Sequence, residues 1–299
     1  MKYDDSSDRL AAERLASLVS ASRAPLTADV LASLAGGHAA LAALAVTKAS
    51  PSTNAELLEA LAGEPGAWPH MSALVADHQT AGRGRAGREW HTPEGAALTV
   101  SYVLRPRLPR DRWGIVPLVV GLAAVKTMRS EGIDASLKWP NDVVVNCADE
   151  TEGGVKGEIA GWGPLRKIAG ILCEVYEDAV VAGIGINVSQ TRAELPVPHA
   201  TSMVTIGAMN LDRAMLLAAL SRQVAAEITR AEADPEAFIE EVAAVTCTLG
   251  RQVLVERTGA SPVTGVAESL GADGSLTVRT AAGEAVAVTA GDVRLRVAT

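Results

Sequence analysis

The stretch GRGRAGREW, residues 82–90, decides the fold class of this chain. Its glycines have the GxGxxG spacing, but a dinucleotide-binding fold places that motif between a strand and a helix. Here the apolar residues 72–77 and 97–104 predict a strand on each side of the stretch. The stretch is therefore a loop embedded in a folded domain, and a dinucleotide-binding domain is disfavoured.

The same loop combines backbone freedom with positive charge. Its three glycines allow the backbone to close tightly over a ligand and to expose amide N–H groups. Arg83, Arg85 and Arg88 precede the first acidic residue, Glu89, so the loop is strongly cationic and suited to phosphate or carboxylate. A solvated RG-rich loop or an RNA-binding tail has the same composition. Composition alone leaves these alternatives open, although the flanking strands favour a ligand-binding loop.

Polar residues also interrupt the strand-like segment 136–146. The motif KWPND, residues 138–142, groups Lys, Asn and Asp where a proline breaks the strand. Proline is confined to strand edges and bulges, so these polar groups are expected at a bend on a sheet edge. A plain structural kink with a solvated Lys138 is the alternative interpretation.

Two further motifs lie on a predicted hairpin of strands 168–176 and 179–187. Lys167 stands at the start of the first strand, where an ordinary strand-end lysine with its head group in water is the alternative interpretation. The motif GIGIN, residues 183–187, removes side chains from one face of the second strand. That leaves room for a flat ligand against the sheet, although a β-bulge or a close strand contact would also use these glycines.

The order of predicted elements divides the chain into three regions. Residues 1–46 form a helical lead with two short helices, which is too short and too weakly basic for a DNA-binding domain. Residues 47–247 form a mixed α/β body. Residues 248–299 contain short alternating strands separated by glycines, which predict a small all-β barrel.

Local patterns predict three elements inside the body. Thr53 followed by Glu56 is typical of a capping box at the start of a short helix. A longer amphipathic helix begins at Pro117. The charged, glycine-rich residues 147–166 predict an exposed loop.

Composition and charge bound the class of protein. The chain has 299 residues, 48% of them hydrophobic, which suffices for folded domains with a real core. A net charge of −8 argues against a protein that works on nucleic acid. Cys147, Cys173 and Cys247 suit neither a disulfide framework nor a CxxC metal pair, so a reduced, cytoplasmic setting is expected. The acidic N-terminus argues against a signal peptide, and no apolar run is long enough for a membrane span.

Taken in order, STN, GRGRAGREW, KWPND, KIAGILCE, GIGIN and a small β-barrel resemble the biotin–protein ligase family from about Lys48 onward. The resemblance implies an α+β fold, in which helices flank a mixed or antiparallel sheet like that of class II aminoacyl-tRNA synthetases. It also implies a C-terminal SH3-like β-barrel. The implied reaction joins biotin and ATP, with Mg²⁺, into biotinyl-5′-AMP and then biotinylates a lysine of an acyl-CoA carboxylase carrier domain. Without a DNA-binding domain the chain resembles the monofunctional members, for which DNA and membrane partners are not expected and a homodimer is an open alternative.

The resemblance also assigns roles to individual residues. The catalytic set is Lys167, Arg83, Arg85 and Asp142. The biotin-binding set is Ser52, Thr53, Asn54, Gln79, Gly82, Arg83, Lys167, Gly170 and Gly183. The nucleotide-binding set is Arg85, Arg88, Trp90, Lys138, Asn141, Gly185 and Asn187. No carboxylate pattern identifies metal ligands.

Three other functions compete with this interpretation. A lipoate–protein ligase has the same fold, but the arginine-rich loop is the mark of the biotin family. A nucleic-acid-binding regulator would use the arginine loop, against the acidic balance of the chain. A biotin-binding protein without activity would not need Lys167, Arg83 and Arg85. The chain departs from the family pattern at residues 147–166, where the pattern has only a short turn.

Overall fold

The computed structural model describes residues 5–27, 40–147 and 157–295. The second predicted helix of the N-terminal lead, around Val30 and Leu34, lies outside the described residues, as does the middle of the predicted loop 147–166. The helices are α1 (Asp5–Ser22), α2 (Thr53–Gly63), α3 (Val116–Ser130), α4 (Arg213–Ala233) and α5 (Pro235–Val245).

The main sheet has seven strands in the order β1-β2-β3-β7-β6-β5-β4. Their bounds are β1 (Ala43–Ser50), β2 (Ser72–Gln79), β3 (Ala97–Leu104), β4 (Ala135–Lys138), β5 (Asp142–Asn146), β6 (Leu165–Tyr176) and β7 (Ala179–Asn187). Only β1 and β2 are parallel, and the other five pairs are antiparallel. The sheet is therefore mixed, and the predicted α+β fold is confirmed.

Helices cover both faces of this sheet because successive strand side chains point to opposite faces. On one face, α2 buries Leu57 and Leu61 in a small cluster with Leu74, Val103 and Val181. On the other face, α3 and α4 belong to the large apolar core. The close approach of α3 to the sheet depends on Gly121, where a Cβ would come within 2.6 Å of Leu137. The two layers fix the sheet as a rigid base for the loops at its edge.

The smaller sheet contains β8 (Gln252–Arg257), β9 (Ala260–Leu270), β10 (Leu276–Arg279), β11 (Ala285–Val288) and β12 (Asp292–Leu295). All its strand pairs are antiparallel, in the order β11-β10-β9-β8-β12. This five-stranded antiparallel sheet is consistent with the small SH3-like β-domain that the alternation and the glycines predicted, and no pairing joins β11 to β12 among the described residues.

Two details of the N-terminal half differ from expectation. Strand β1 begins at Ala43, so the predicted boundary between residues 46 and 47 falls inside a strand. This strand lies at the sheet edge and is only half-buried, which explains its weak apolar signal. At the start of α2 the N-cap is Ser52, whose side chain accepts from the backbone N–H of Ala55. Thr53 is not the cap, because its hydroxyl bonds with Gln79 and Ser101.

Candidate active site

A cleft of about 610 Å³ opens over β3, β6 and β7 and is bordered by the loop 82–90 and by β12. The predicted site residues that line it are Ser52, Thr53, Asn54, Gln79, Arg83, Arg85, Arg88, Trp90, Lys138, Asn141, Asp142, Lys167, Gly170, Gly183, Gly185 and Asn187. Gly82 is the exception. It lies behind the wall, where its carbonyl accepts from the backbone N–H of Trp90 at 2.8 Å and a Cβ would strike the Trp90 carbonyl oxygen.

Two lysines and one aspartate meet at one corner of the cleft. Asp142 is the first residue of β5 and pairs with Gly170 of β6, which brings it next to Lys167 on the same strand. The Lys167 Nζ lies 2.5 Å from the Asp142 Oδ1. The Lys138 Nζ lies 3.7 Å from the Asp142 Oδ2 and donates to the Val293 carbonyl of β12 at 2.8 Å. KWPND thus forms a buried corner of the cleft held by ion pairs, and its Lys138 is not solvated.

Burial and charge act in opposite directions on these groups. Burial alone would raise the pKa of the Asp142 carboxyl, but Lys167 and Lys138 outweigh it and hold that pKa below its ordinary value. Burial lowers the pKa of the Lys138 ammonium, and Asp142 opposes that shift. The corner therefore holds an ionised carboxylate at neutral pH, with two amine groups that can face a second anion.

A hydrogen-bonded set of side chains fills the opposite end of the cleft. The Gln79 Oε1 accepts from the Thr53 backbone N–H at 2.9 Å and from its hydroxyl at 3.1 Å. The Thr53 hydroxyl meets the Ser101 Oγ at 2.7 Å, and the Ser101 Oγ donates to the Asn54 Oδ1 at 2.6 Å. Such a linked set fixes the direction of each donor and acceptor, as recognition of a polar ring requires.

Ser101 and Glu174 support this end from behind the lining residues, although the sequence motifs did not identify them. The Asn54 Nδ2 donates to the Glu174 Oε2 at 2.9 Å and to the Leu172 carbonyl at 3.1 Å. Ser101 follows Thr99 by two positions in an otherwise apolar strand, and that alternation was a usable signal. Glu174 offered no comparable signal, because its role depends on contacts far away in sequence.

The alternating glycines of β6 and β7 form a floor, and Trp90 lies on it. Gly170 and Gly185 pair across the two strands. A Cβ at Gly185 would come within 2.7 Å of the Trp90 Cε2, and a Cβ at Gly170 within 3.3 Å of its Cζ3. The indole is therefore in direct contact with the glycine floor. Its buried Nε1 has no hydrogen-bond partner among the described residues, although a buried indole N–H usually has one.

The three loop arginines share the cleft but bind different groups in it. The Arg83 guanidinium donates to the Glu174 Oε2 at 3.0 Å. Arg85 reaches the Gly291 carbonyl at 3.5 Å, and Arg88 forms an ion pair with Asp292, the first residue of β12. The C-terminal sheet therefore holds the cationic loop from its outer side, a contribution that the sequence motifs did not predict.

The end of the predicted loop 147–166 also enters the cleft. The Trp162 ring stacks on His199 with centroids 4.2 Å apart and planes 13° from parallel. The Lys138 Nζ lies 4.4 Å from the centroid of the same indole. Burial, helped by nearby Lys167, lowers the pKa of His199 to about 4, so this ring is neutral at pH 7.

Three carboxylates in or beside the cleft are engaged by cations. Asp142 pairs with two lysines, Glu174 with Arg83 and Asp292 with Arg88. Within residues 5–27, 40–147 and 157–295, no group of three His, Cys, Asp or Glu side chains could hold a metal ion. The helices in those ranges also include none that is long and apolar enough to cross a membrane.

Comparison with known proteins adds to this geometry. Residues 48–190 match the Biotin/lipoate A/B protein ligase family, and residues 248–296 match the Biotin protein ligase C terminal domain. The biotin--[acetyl-CoA-carboxylase] ligase of Mycobacterium tuberculosis is 35% identical over 256 residues, which cover 84% of this chain and 88% of that protein. The bifunctional ligase/repressor BirA of Escherichia coli is 33% identical over 67% of this chain, but the match spans only 56% of BirA. The structure of the Aquifex aeolicus biotin protein ligase in complex with biotin and ATP has a TM-score of 0.66 and 29% identity, and the match covers 86% of this chain and 99% of that one.

Proposed function

This chain belongs to the biotin protein ligase family, and from that premise we propose that it makes biotinyl-5′-AMP from biotin and ATP and then biotinylates a carrier lysine. In the first step the biotin carboxylate attacks the α-phosphorus of ATP and pyrophosphate leaves. In the second step the carrier amine attacks the acyl carbon and AMP leaves. One observation carries the proposal. A single cleft of about 610 Å³ is lined both by the hydrogen-bonding set around Thr53 and by the cationic corner around Lys167.

The hydrogen-bonding end suits the ureido ring of biotin. That ring both donates and accepts hydrogen bonds, and Thr53, Asn54, Gln79 and Ser52 provide matching hydroxyl and amide groups. Buried polar groups left without partners are costly, so such a site rejects analogues that lack the ring nitrogens. This is the argument for biotin over lipoate, whose dithiolane ring offers no such groups. Gly82 contributes indirectly, because it lets the loop backbone approach the backbone of Trp90 closely.

The cationic corner suits the first chemical step. Attack of a carboxylate on a phosphate brings two anions together, and cations already in position stabilise the charge that develops. We assign this role to Lys167, with Arg83 and Arg85 from the loop. Asp142 holds Lys167 and Lys138 in the cleft through the ion pairs described above, and we assign to it the orientation of the incoming carrier lysine.

The nucleotide is assigned to the end of the cleft formed by Lys138, Asn141 and Asn187, with Arg88 and Trp90 in its wall. The Asn187 Nδ2 donates to the Thr201 carbonyl at 2.9 Å, which holds that side chain at the edge of the floor. ATP chemistry implies Mg²⁺, but the paired carboxylates do not fit a protein cage for it. The Mg²⁺ requirement that we propose therefore rests on the ATP polyphosphate, because the described residues offer no group of three His, Cys, Asp or Glu side chains for the ion.

The partner that we propose is a biotin carboxyl carrier domain of an acyl-CoA carboxylase, as the names of two relatives suggest for those proteins. We further propose a cytoplasmic enzyme that acts without DNA or a membrane. Homodimer formation stays a prediction, to be decided by the molar mass in solution.

The decisive test is incubation of the purified chain with ATP and either biotin or lipoate, followed by quantitation of the acyl adenylate and of pyrophosphate. We expect biotinyl-5′-AMP, and a carrier domain added afterwards should gain one biotinyl group by mass spectrometry. Adenylation of lipoate but not of biotin would overturn the assignment. Tight duplex DNA binding that weakens steeply with salt, without any adenylate, would favour the regulator instead.

A further inference from the structure

The segment that departs from the family pattern ends inside the cleft. Its last described residues, 157–164, are fixed from two sides. The buried Arg166 donates to the Gly157 carbonyl at 2.8 Å and to the Gly163 carbonyl at 3.2 Å. The Gly161 carbonyl accepts from the Leu295 N–H of β12 at 3.0 Å. These contacts set the position of Trp162, which lies between Gly161 and Gly163 in sequence and lines the cleft.

Trp162 contacts the one lysine of the cleft that is almost fully buried. Lys138 is only 3% exposed, so its ammonium has lost most of its water. The Lys138 Nζ lies 4.4 Å from the centroid of the Trp162 indole. This contact replaces part of the lost hydration energy, because a cation over an aromatic ring is attracted most strongly when it is desolvated. A lysine head group has three N–H donors. One goes to Val293 and one lies toward Asp142, which leaves one for a phosphate oxygen.

His199 completes the arrangement from the other wall. Its ring stacks on Trp162. His199 lies in the segment after β7, and the next residue in that segment, Ala200, forms a β-bridge with Lys167. The neutral imidazole keeps the indole in place without adding positive charge beside Lys138 and Lys167. The contacts of Trp162 thus lie at the proposed nucleotide end. The set around Thr53, Asn54 and Gln79 is bonded within itself and to Ser101 and Glu174.

We propose that Trp162 is a positioning residue for ATP: with His199 it holds the Lys138 ammonium against the cleft, so that residues 157–164 set the affinity for the nucleotide and not for biotin. This inference rests on the proposed function, because it takes ATP as the ligand of that end. It also gives residues 157–164 a role in the site, where the sequence suggested only an exposed loop.

The test compares Trp162→Ala, Trp162→Phe and Trp68→Ala with the wild-type chain. Trp68 is a half-buried tryptophan that packs in the small cluster under α2, so its loss controls for a general effect of removing an indole. The KM for ATP and for biotin come from pyrophosphate release, and the Kd for ATP comes from calorimetry without biotin. We expect Trp162→Ala to raise the KM and Kd for ATP about 5- to 30-fold, the range for loss of a desolvated cation–π contact. The KM for biotin should stay within twofold, and Trp162→Phe should recover most of the ATP affinity.

Each outcome decides between the two proposals. An ATP Kd within twofold of wild type in Trp162→Ala overturns the positioning role, as does an equal rise in the KM for biotin. Failure of Trp162→Phe to restore affinity also overturns it, because a phenyl face keeps the attraction for the ammonium. If the wild-type chain binds ATP but makes no biotinyl-5′-AMP, the proposed function fails while the Kd comparison still tests Trp162. If it does not bind ATP at all, both proposals fail.

Discussion

Substitution of Gly185 by alanine tests the glycine floor most directly. The new Cβ would lie 2.7 Å from the Trp90 Cε2 and 2.8 Å from its Nε1 and Cζ2, where ordinary contacts begin at 3.4 Å. The indole must then move by about 0.7 Å, and extra carbon in a packed site costs roughly 1–3 kcal/mol when it cannot be relieved. Trp90 borders an open cleft and can yield into it, so the cost should fall on ligand binding more than on folding. At about 1.4 kcal/mol per factor of ten, we expect the Kd for ATP, whose proposed site includes Gly185 and Trp90, to rise about 5- to 100-fold.

The assay is calorimetric titration with ATP, beside thermal unfolding of the same samples. Gly66→Ala is the matched control, because its Cβ would meet nothing within 4 Å. The double variant Gly185→Ala with Trp90→Phe adds a second check, since a smaller ring should tolerate the new methyl and the two effects should not add. A Kd for ATP within twofold of wild type, or strict additivity in the double variant, would refute direct contact between the indole and the floor.

Three further predictions concern charged groups. Lys167→Ala should lower the rate of biotinyl-5′-AMP formation about 10²- to 10³-fold, by analogy with loss of one transition-state donor, and loss of the ion pair with the buried Asp142 should also lower the melting temperature without preventing folding. Asp292→Asn should release Arg88 from β12 and let biotinyl-5′-AMP escape several-fold faster, measured by its retention on rapid gel filtration. Glu194→Gln should reduce the loss of folding stability as the pH falls below 4.5. Its hydrogen bond from Arg23 lowers the pKa of Glu194 to about 2, so the pair stabilises the fold above pH 4.5 and this contribution is lost as the pH falls toward 2.

The contrary outcomes are equally specific. Turnover of Lys167→Ala within twofold of wild type would remove Lys167 from the chemical step. Unchanged retention of the intermediate by Asp292→Asn would mean that β12 does not hold the loop. If the melting temperatures of wild type and Glu194→Gln fall by the same amount between pH 4.5 and 2, the Arg23–Glu194 pair has no role in acid stability.

Elements with strong local patterns could be predicted from the sequence almost to the residue. The strands 97–104 and 179–187 begin and end where the apolar runs and turn residues indicated. Strand β1 was missed because it lies at the edge of the sheet, half-buried and rich in alanine, where neither alternation nor a long apolar run is required. The cap of α2 was misplaced by one residue because Ser52 and Thr53 are both good caps, and only the contact with Ser101 distinguishes them.

The candidate site divides in the same way. Residues inside compact motifs, such as Arg83, Lys138 and Lys167, could be nominated because the motifs, taken in order, resemble those of the biotin–protein ligase family. Asp292 and Trp162 could not be nominated from the sequence. Each reaches the cleft through a contact that joins distant segments, and no pattern in a single sequence records such pairs. The missed residues are thus those whose roles are defined by tertiary contacts alone.

Strand β12 makes the site depend on segments that are far apart in sequence. Val293 holds Lys138 from one wall while Ser52 lies in another, so the pocket has all its walls only when both segments are in place. A polypeptide in which β12 has not folded lacks the anchor for Arg88 and Lys138, whatever the state of its main sheet. A protease cut before Gly291 removes the same anchor in one event, and ligand-dependent thermal shift would distinguish intact molecules from such fragments.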